Sequence, residues 1–487
     1  MRARSLDGLS PICSGSQMCE EKLDLFSHVR GSINAPAGCG KTQLIASALV
    51  KRNHERPVLV LTHTNAGRAA LEQRLRKLGV ERGTARVATL DSWAIRLVQS
   101  FPTRSGLSAG VLRVQGNSAD YQAIRHAALR ILDAGDADKV LHATYSRVVV
   151  DEYQDCGAAQ HRMVKHLAKL LPTIVLGDHL QVIFDFAGPV VDWRNEVLPA
   201  FPSIPWKRVP WRWKNSGSPE LGDWLLNTVR PALSQAGGCV DLSTAPKEVV
   251  WVRLEGTEAQ KSQARLAAAK AKFLGTALII ADSRNKEGQW DIARRTRSTM
   301  VEANEMVDFI KFASVFDPDT SDSLDIAVGF FGTLLAGLGP VQLVARVKSL
   351  HAGRAKIKAT ELEDICLTYL RSPSFRSAAD MLDSFGRVHG VFAFRPDVVG
   401  LCSKALRATT AETKLREAAL RERERFRHIP RTIRFRSVGS TLLLKGLEAD
   451  VAVVLEPEKM NARNLYVAMT RASKTLIICS SSPRLCF

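Results

Sequence analysis

The sequence predicts an α/β protein built on two parallel sheets, and three observations carry that expectation. Short apolar runs alternate with helical stretches from Gly31 to about Gly177, and again from Glu248 onward. Two of these runs end in chemistry: Ile33-Asn34 leads into a glycine-rich loop, and Val148-Val149-Val150 leads into Asp151-Glu152. The second alternating region is broken by about 140 residues of helical periodicity with almost no strand signal. Strand–helix alternation of this kind means parallel strands covered by helices on both faces.

The elements follow in order. Residues 1 to about 30 are weakly patterned. Pro57–Thr62, Arg86–Leu90, Arg147–Val150 and Thr173–Gly177 read as buried strands, and Leu44–Val50 and Ala66–Leu78 as helices, the latter basic and amphipathic. Residues 99–144, with a helical segment over Tyr121–Leu132, read as a small insertion into a first domain made of 1–98 and 145–204. Glu248–Val252, Thr276–Ile280, Val451–Leu455 and Thr475–Ile478 are the strands of a second domain, 205–289 with 430–487, that carries a helical insertion over 290–429. Within it, Lys414–Arg427 is dense in Arg and Glu and reads as a solvated helix rather than a DNA contact.

At 487 residues the chain exceeds a single core. Its hydrophobic share of 45% suits ordinary globular packing, and no run is long and apolar enough for a membrane span or a signal peptide. The nine cysteines are scattered without a Cys-x-x-Cys pair, which argues for a reducing cytoplasm and against structural zinc or an iron–sulfur cluster. A formal charge of +19 points to a polyanionic partner, nucleic acid first, although charge alone does not separate DNA from RNA.

The loop Ala35-Pro36-Ala37-Gly38-Cys39-Gly40-Lys41-Thr42 has the spacing of a phosphate cradle. Gly38 and Gly40 let backbone N–H groups face the phosphates, Lys41 reaches the β/γ-phosphates, and the Thr42 hydroxyl joins a Mg²⁺ shell. The helix that follows presents its N-terminus to the anion. Cys39 reads as a small filler. Adjacent acids at a strand end suit nucleotide hydrolysis, with Asp151 on the metal and Glu152 as general base. The Gln154-Asp155 extension narrows this to motor ATPases.

With those motifs in place, the chain resembles UvrD/Rep-type superfamily 1A DNA helicases, in a compact form, from about Ala35 to the C-terminus. Thr62-His63-Thr64-Asn65 resembles the family's T-F-T-N element and Thr89-Leu90-Asp91-Ser92-Trp93 its G-T-x-H-S-F element, both on the DNA path. Gly177-Asp178-His179-Leu180-Gln181 resembles G-D-x-x-Q, Pro210-Trp211-Arg212-Trp213 resembles N-Y-R-S, Leu444–Glu448 resembles S-K-G-L-E, and Leu465–Ala472 resembles L-x-Y-V-x-x-T-R-A.

The resemblance implies two RecA-like P-loop NTPase domains with ATP between them. Gln181, Arg212 and Arg471 would sense and stabilise the γ-phosphate beside Glu152, and Trp211 would stack on adenine. Gly446 and Glu448 would join the second domain to the nucleotide. His63, Thr64, Asn65, Ser92, Trp93 and Phe186 would meet single-stranded DNA, with core packing as the alternative for Phe184 and Phe186. Gln17 is the nearest candidate for an adenine-reading glutamine. Translocation 3′ to 5′, in repair, recombination or phage defence, follows from the same resemblance. Two departures, Ala187 where the family has Arg and Leu442 where it has His, fall on positions that couple ATP to DNA. Sixteen residues follow Arg471, and the insertions are short, so targeting is expected from a partner such as a nuclease. The rival reading is a nucleotide-gated DNA-sensing protein that licenses such a partner without unwinding. A P-loop kinase is a distant third, since it explains neither Gln154-Asp155 nor the motifs after Gly446.

Overall fold

The structure is a computed structural model that describes residues 23–50, 55–112, 118–183, 188–427, 429 and 433–487. The first sheet contains β1 (Arg30–Asn34), β2 (Val58–Thr62), β3 (Ala85–Thr89), β4 (Arg147–Val150) and β5 (Thr173–Gly177), ordered β1-β5-β4-β2-β3 with every pairing parallel. All five residues of β2 and of β5 are buried. A parallel sheet covered on both faces needs such continuous apolar strands. Alternate side chains then serve opposite cores. Val58, Val60, Val149, Ile174 and Leu176 pack with α1 (Lys41–Val50) and α2 (Asn65–Lys77). Leu59, Leu61, Val148, Val150 and Val175 pack with α3 (Leu90–Ser100) and the helices Ser118–Asp133 and Ala158–Leu170.

Residues 99–144, expected as a small insertion, supply part of that second layer. Ile124, Ala127, Ala128, Ile131 and Leu132 form an apolar stripe buried in the sheet's own core. Arg125 pins the same helix to α3 through two hydrogen bonds to Asp91, each 2.7 Å. These residues are a layer of the first lobe.

The remaining strands are β6 (Cys239–Asp241), β7 (Val249–Arg253), β8 (Ala277–Ile280), β9 (Thr299–Met300), β10 (Leu335–Ala336), β11 (Phe392–Ala393), β12 (Arg436–Gly439), β13 (Ala449–Val454), β14 (Ala472–Ser480) and β15 (Arg484–Cys486). The second sheet is ordered β7-β14-β13-β8-β12-β9, again parallel throughout. The helix Lys286–Thr296 and β9 belong to this lobe, although the sequence reading placed 290 onward in the insertion. Two-residue strands such as β9, β10 and β11 are too short to leave a period-2 signal, which is why that stretch reads as purely helical.

The helical cluster between Val307 and Phe426 has a separate core rich in phenylalanine, including Phe309, Phe312, Phe331 and Phe385. The Phe312 and Phe330 rings stack with centroids 4.3 Å apart. Its last helix, Leu415–Phe426, buries Leu415, Ala418, Ala419 and Phe426, so only one of its faces is solvated. Arg395 seals the junction with the second sheet: fully buried, it hydrogen-bonds Glu302 at 2.7 and 3.0 Å and lies over Trp290.

β6 and β15 pair as an antiparallel ribbon, and opposite residues Cys239 and Cys486 form a disulfide. The scattered cysteines suggest a reducing environment, and this pair stands apart from that reading. A separation of 247 residues hides the pairing from any local spacing rule. Among the described residues no helix is long and apolar enough to cross a membrane.

Candidate nucleotide-binding site

Three adjacent strands of the first sheet deliver the site. β1 ends in the phosphate loop, β4 in Asp151 and β5 in Gly177-Asp178, all at the carboxyl edge of the sheet. Ligands of open parallel sheets bind at that edge. The loop is tied to β5 by the Ala35 N–H donating to the Gly177 carbonyl at 2.7 Å. Gly38 and Gly40 have φ of +69° and +89°, values that suit glycine, and a Cβ on Gly38 would lie 2.5 Å from the Trp213 ring. α1 begins at Lys41, so Lys41 and Thr42 occupy the first turn, at the positive end of the helix dipole. Buried Cys39 fits the filler role, since burial and then Asp178 push its thiol up to about 12.

Lys41 Nζ lies 2.6 Å from Glu152 Oε1 and 3.4 Å from Asp151 Oδ1. Burial works against the ammonium, but the two acids outweigh it and hold Lys41 above the ordinary lysine range. Burial likewise raises the Asp151 carboxyl. In Glu152, burial is overcome by Lys41, Lys445 and a hydrogen bond from Gln154, and the carboxyl sits below its ordinary range. Glu152 has φ of 54°, a left-handed backbone that non-glycine residues seldom adopt. Strain of this sort persists where surrounding contacts over-determine it. Here the Glu152 N–H donates to Asp151 Oδ1 at 2.9 Å, and Gln154 Nε2 donates to Glu152 Oε2 at 2.6 Å. Gln154 in turn accepts from the Asp178 N–H at 3.0 Å. Gln154 therefore holds the Glu152 carboxylate in place.

Asp178 is fully buried and accepts from the Ala37 N–H at 3.2 Å and from Gln181 Nε2 at 2.9 Å. Gln181 is thus positioned by the same carboxylate that steadies the loop.

The second lobe reaches this cluster at several points. Lys445 Nζ bonds both Asp155 oxygens, at 2.8 and 2.6 Å, and the Gln181 carbonyl at 2.6 Å. The Arg212 N–H donates to the Gly38 carbonyl at 3.0 Å, and its guanidinium pairs with Glu448. Gly446, with φ of +84°, makes the turn between Lys445 and Glu448. Trp211 is 45% exposed beside Gly40, an open aromatic face suited to a nucleobase. Buried Trp213 packs on the loop and donates to the Ala472 carbonyl at 2.8 Å. Sequence reasoning assigned it no role, although its indole ties the loop to β14.

Arg471 is 3% exposed, and its donors go to the Val467 and Leu447 carbonyls at 2.8 and 3.0 Å and to Thr470 Oγ1 at 3.0 Å. Burial, reinforced by nearby Arg212 and opposed by Glu448 and Glu152, lowers it to about 10, so it stays charged at neutral pH.

His63, Thr64 and Asn65 follow the end of β2, next to β4. The Thr64 hydroxyl accepts from the Gly67 N–H and caps α2. Asn65 donates to the Arg427 carbonyl at 3.3 Å, linking the first lobe to the helical cluster. The Ser92 N–H is capped by Thr89. Trp93, expected on the DNA path, is 4% exposed and packs in the first lobe's core. Gln17, Phe184, Phe186 and Ala187 lie outside the described residues.

Fold and site together define a two-lobed P-loop protein with its candidate nucleotide site at the meeting of two parallel sheets. Residues 111–201 match the family described as UvrD/REP helicase N-terminal domain, a span that includes Asp151–Asp155 and Gly177–Gln181. The chain is also 32% identical over 93 residues to an ATP-dependent helicase/nuclease subunit of Streptococcus mutans, covering 19% of this chain and 8% of that relative. Over this span the chain is similar to UvrD-type helicases, in keeping with the resemblance drawn from its motifs there. The phosphate loop and the second-lobe motifs fall outside the matched span, and their roles rest on their own chemistry.

Proposed function

We propose that the chain hydrolyses ATP with Mg²⁺ to drive movement along single-stranded DNA, 3′ to 5′, and to unwind duplex. The observation that carries this reading is Lys41 facing Asp151 and Glu152 while Lys445 and Arg212, from the second lobe, hold the same cluster. The residues fit a magnesium–nucleoside triphosphate: positive-φ glycines, a helix N-terminus, a buried Asp151 beside the half-buried Glu152, and an open aromatic face. Thr42 and Asp151 would hold Mg²⁺, which supplies charge neutralisation on the phosphates when bound. Ala35, Pro36, Ala37, Gly38, Cys39, Gly40 and Lys41 would form the phosphate cradle. Phosphates offer Lys41 a stronger partner than Glu152, and releasing Glu152 leaves it free to accept a proton from the attacking water. Arg212 and Arg471 complete the site from the other lobe, so turnover couples to closure of the cleft.

His63, Thr64, Asn65 and Ser92 line the DNA side in this reading, and the +19 charge supports a nucleic-acid partner. Single-stranded or junction DNA is the substrate, and a cytoplasmic role in repair, recombination or phage defence is the setting. A partner nuclease is favoured by the relative's printed description, which joins helicase and nuclease in one name. That description also motivates the second reading, a DNA-sensing ATPase that licenses a nuclease. DNA-stimulated ATP hydrolysis and strand displacement, measured side by side, separate the two. Glu152→Gln is expected to bind ATP and DNA while losing about 10²- to 10⁴-fold in turnover, the range for removing a general base. Near-normal turnover in that variant would remove Glu152 from its role. Stimulated hydrolysis without displacement under any loading condition would select the sensor.

A further inference from the structure

A buried arginine outside every motif named above reaches into the nucleotide site. Arg230 follows Val229 in the second lobe, whose core also takes Val229 and Leu233, yet its guanidinium lies among first-lobe groups. It is 5% exposed. Its Nη1 donates to Asp178 Oδ1 at 2.6 Å and to the Tyr466 hydroxyl at 3.0 Å, and its Nη2 donates to Asn34 Oδ1 at 3.1 Å. Asn34 is the last residue of β1, directly before the phosphate loop, and its Nδ2 meets His179 Nδ1 at 3.0 Å. Asp178 holds the Ala37 N–H and Gln181 Nε2 on its other oxygen.

We propose that Arg230 is a positioning residue for nucleotide turnover, setting the Asp178 carboxylate that orients Gln181 and the phosphate loop and linking both to Tyr466 of the second lobe. The proposal rests on the ATP-hydrolysis reading of the site. A buried carboxylate without its cation is unfavourable and seeks new partners or a proton. Either response loosens its hold on the Ala37 N–H and on Gln181. The planar guanidinium fork reaches Asp178, Asn34 and Tyr466 together, which a lysine ammonium on a flexible stem does not match. A contact that only clamped the lobes would need no such convergence on one carboxylate of the site.

Arg230→Gln and Arg230→Lys, each alone and combined with Gln181→Ala, test the assignment through steady-state ATP hydrolysis. Arg230→Gln is expected to lower kcat by about 30-fold or more while KM for ATP moves less than about fivefold, the pattern of a lost transition-state interaction. Arg230→Lys is expected to recover part of that loss. In the Gln181→Ala background the Arg230→Gln change should cost less than about threefold further, because residues acting through one another are non-additive. Full multiplication of the two losses, or a fall in thermal stability with kcat unchanged, would overturn the proposal in favour of a lobe clamp. If Arg230→Gln fails to fold, Tyr466→Phe keeps the Arg230–Asp178 pair, and a kcat loss with unchanged KM is expected from it; no change there overturns the link to the second lobe. A wild-type chain that does not hydrolyse ATP would sink the ATPase reading itself.

Discussion

The two lobes contribute to one site in different ways. On the first lobe, Lys41, Asp151, Glu152, Gln154, Asp178 and Gln181 form a continuous hydrogen-bonded set held by one sheet edge. On the second lobe, the Arg471 donors are spent on neighbouring backbone carbonyls and a threonine of the same lobe, and Arg212 pairs with Glu448. In the proposed reading, the half that would bind the phosphates is built in advance, while the half that would stabilise developing charge must exchange partners to act. Phosphate binding would then rest mainly on the first lobe, and turnover on both.

Lys41→Ala tests the first half and should produce the largest effect. Loss of the cation facing the phosphates is expected to abolish measurable ATP binding along with hydrolysis, read by equilibrium titration and by turnover. Binding that survives would break the claim that the first lobe alone holds the phosphates. Arg471→Ala tests the other half. Turnover should fall by about 10³-fold or more, the scale of removing an arginine from phosphoryl transfer, with ATP affinity changed only a few-fold. A variant losing affinity and rate equally would erase the distinction between the lobes.

Lys445→Ala probes the contact between the halves. Asp155 is 3% exposed, and removing its cation leaves a buried charge uncompensated. Such a loss costs about 3–5 kcal/mol, visible as a lower denaturation midpoint, with a smaller loss in hydrolysis. An unchanged midpoint would show the Lys445–Asp155 pair to be dispensable for holding the lobes.

The smallest expected effect concerns pH. Burial lowers the pKa of His63, His161 and His179 from the ordinary histidine value. Each is neutral when folded, whereas the unfolded chain takes up protons below about 6.5. Stability from these groups is therefore complete above that value and declines as pH falls toward their folded pKa values. Thermal melts at pH 7.5, 6.5 and 5.5 should show a falling midpoint over the last step. A flat profile would mean the three rings are solvated.

Much of the first lobe was legible in the sequence because its signals are local. Val148–Asp155 and Ala35–Thr42 place strand, turn and chemistry within ten residues, and a buried parallel strand must be apolar throughout. The helical stretch over 118–133 was legible as a helix but not as core, since an amphipathic stripe does not say what it will cover. The burial of Trp93 was hidden for the same reason: its motif position said nothing of what its ring would pack against.

By itself, the sequence determined the parallel-sheet class, the phosphate loop, the acidic pair and the UvrD-like character, all written in short contiguous patterns. Tertiary structure alone decided that Arg230 meets Asp178, that Trp213 seats Gly38, that Lys445 holds Asp155 and that Cys239 faces Cys486. Each of these pairs joins segments dozens to hundreds of residues apart. No local periodicity encodes such a contact, because it exists only once both sheets have folded and brought their edges together.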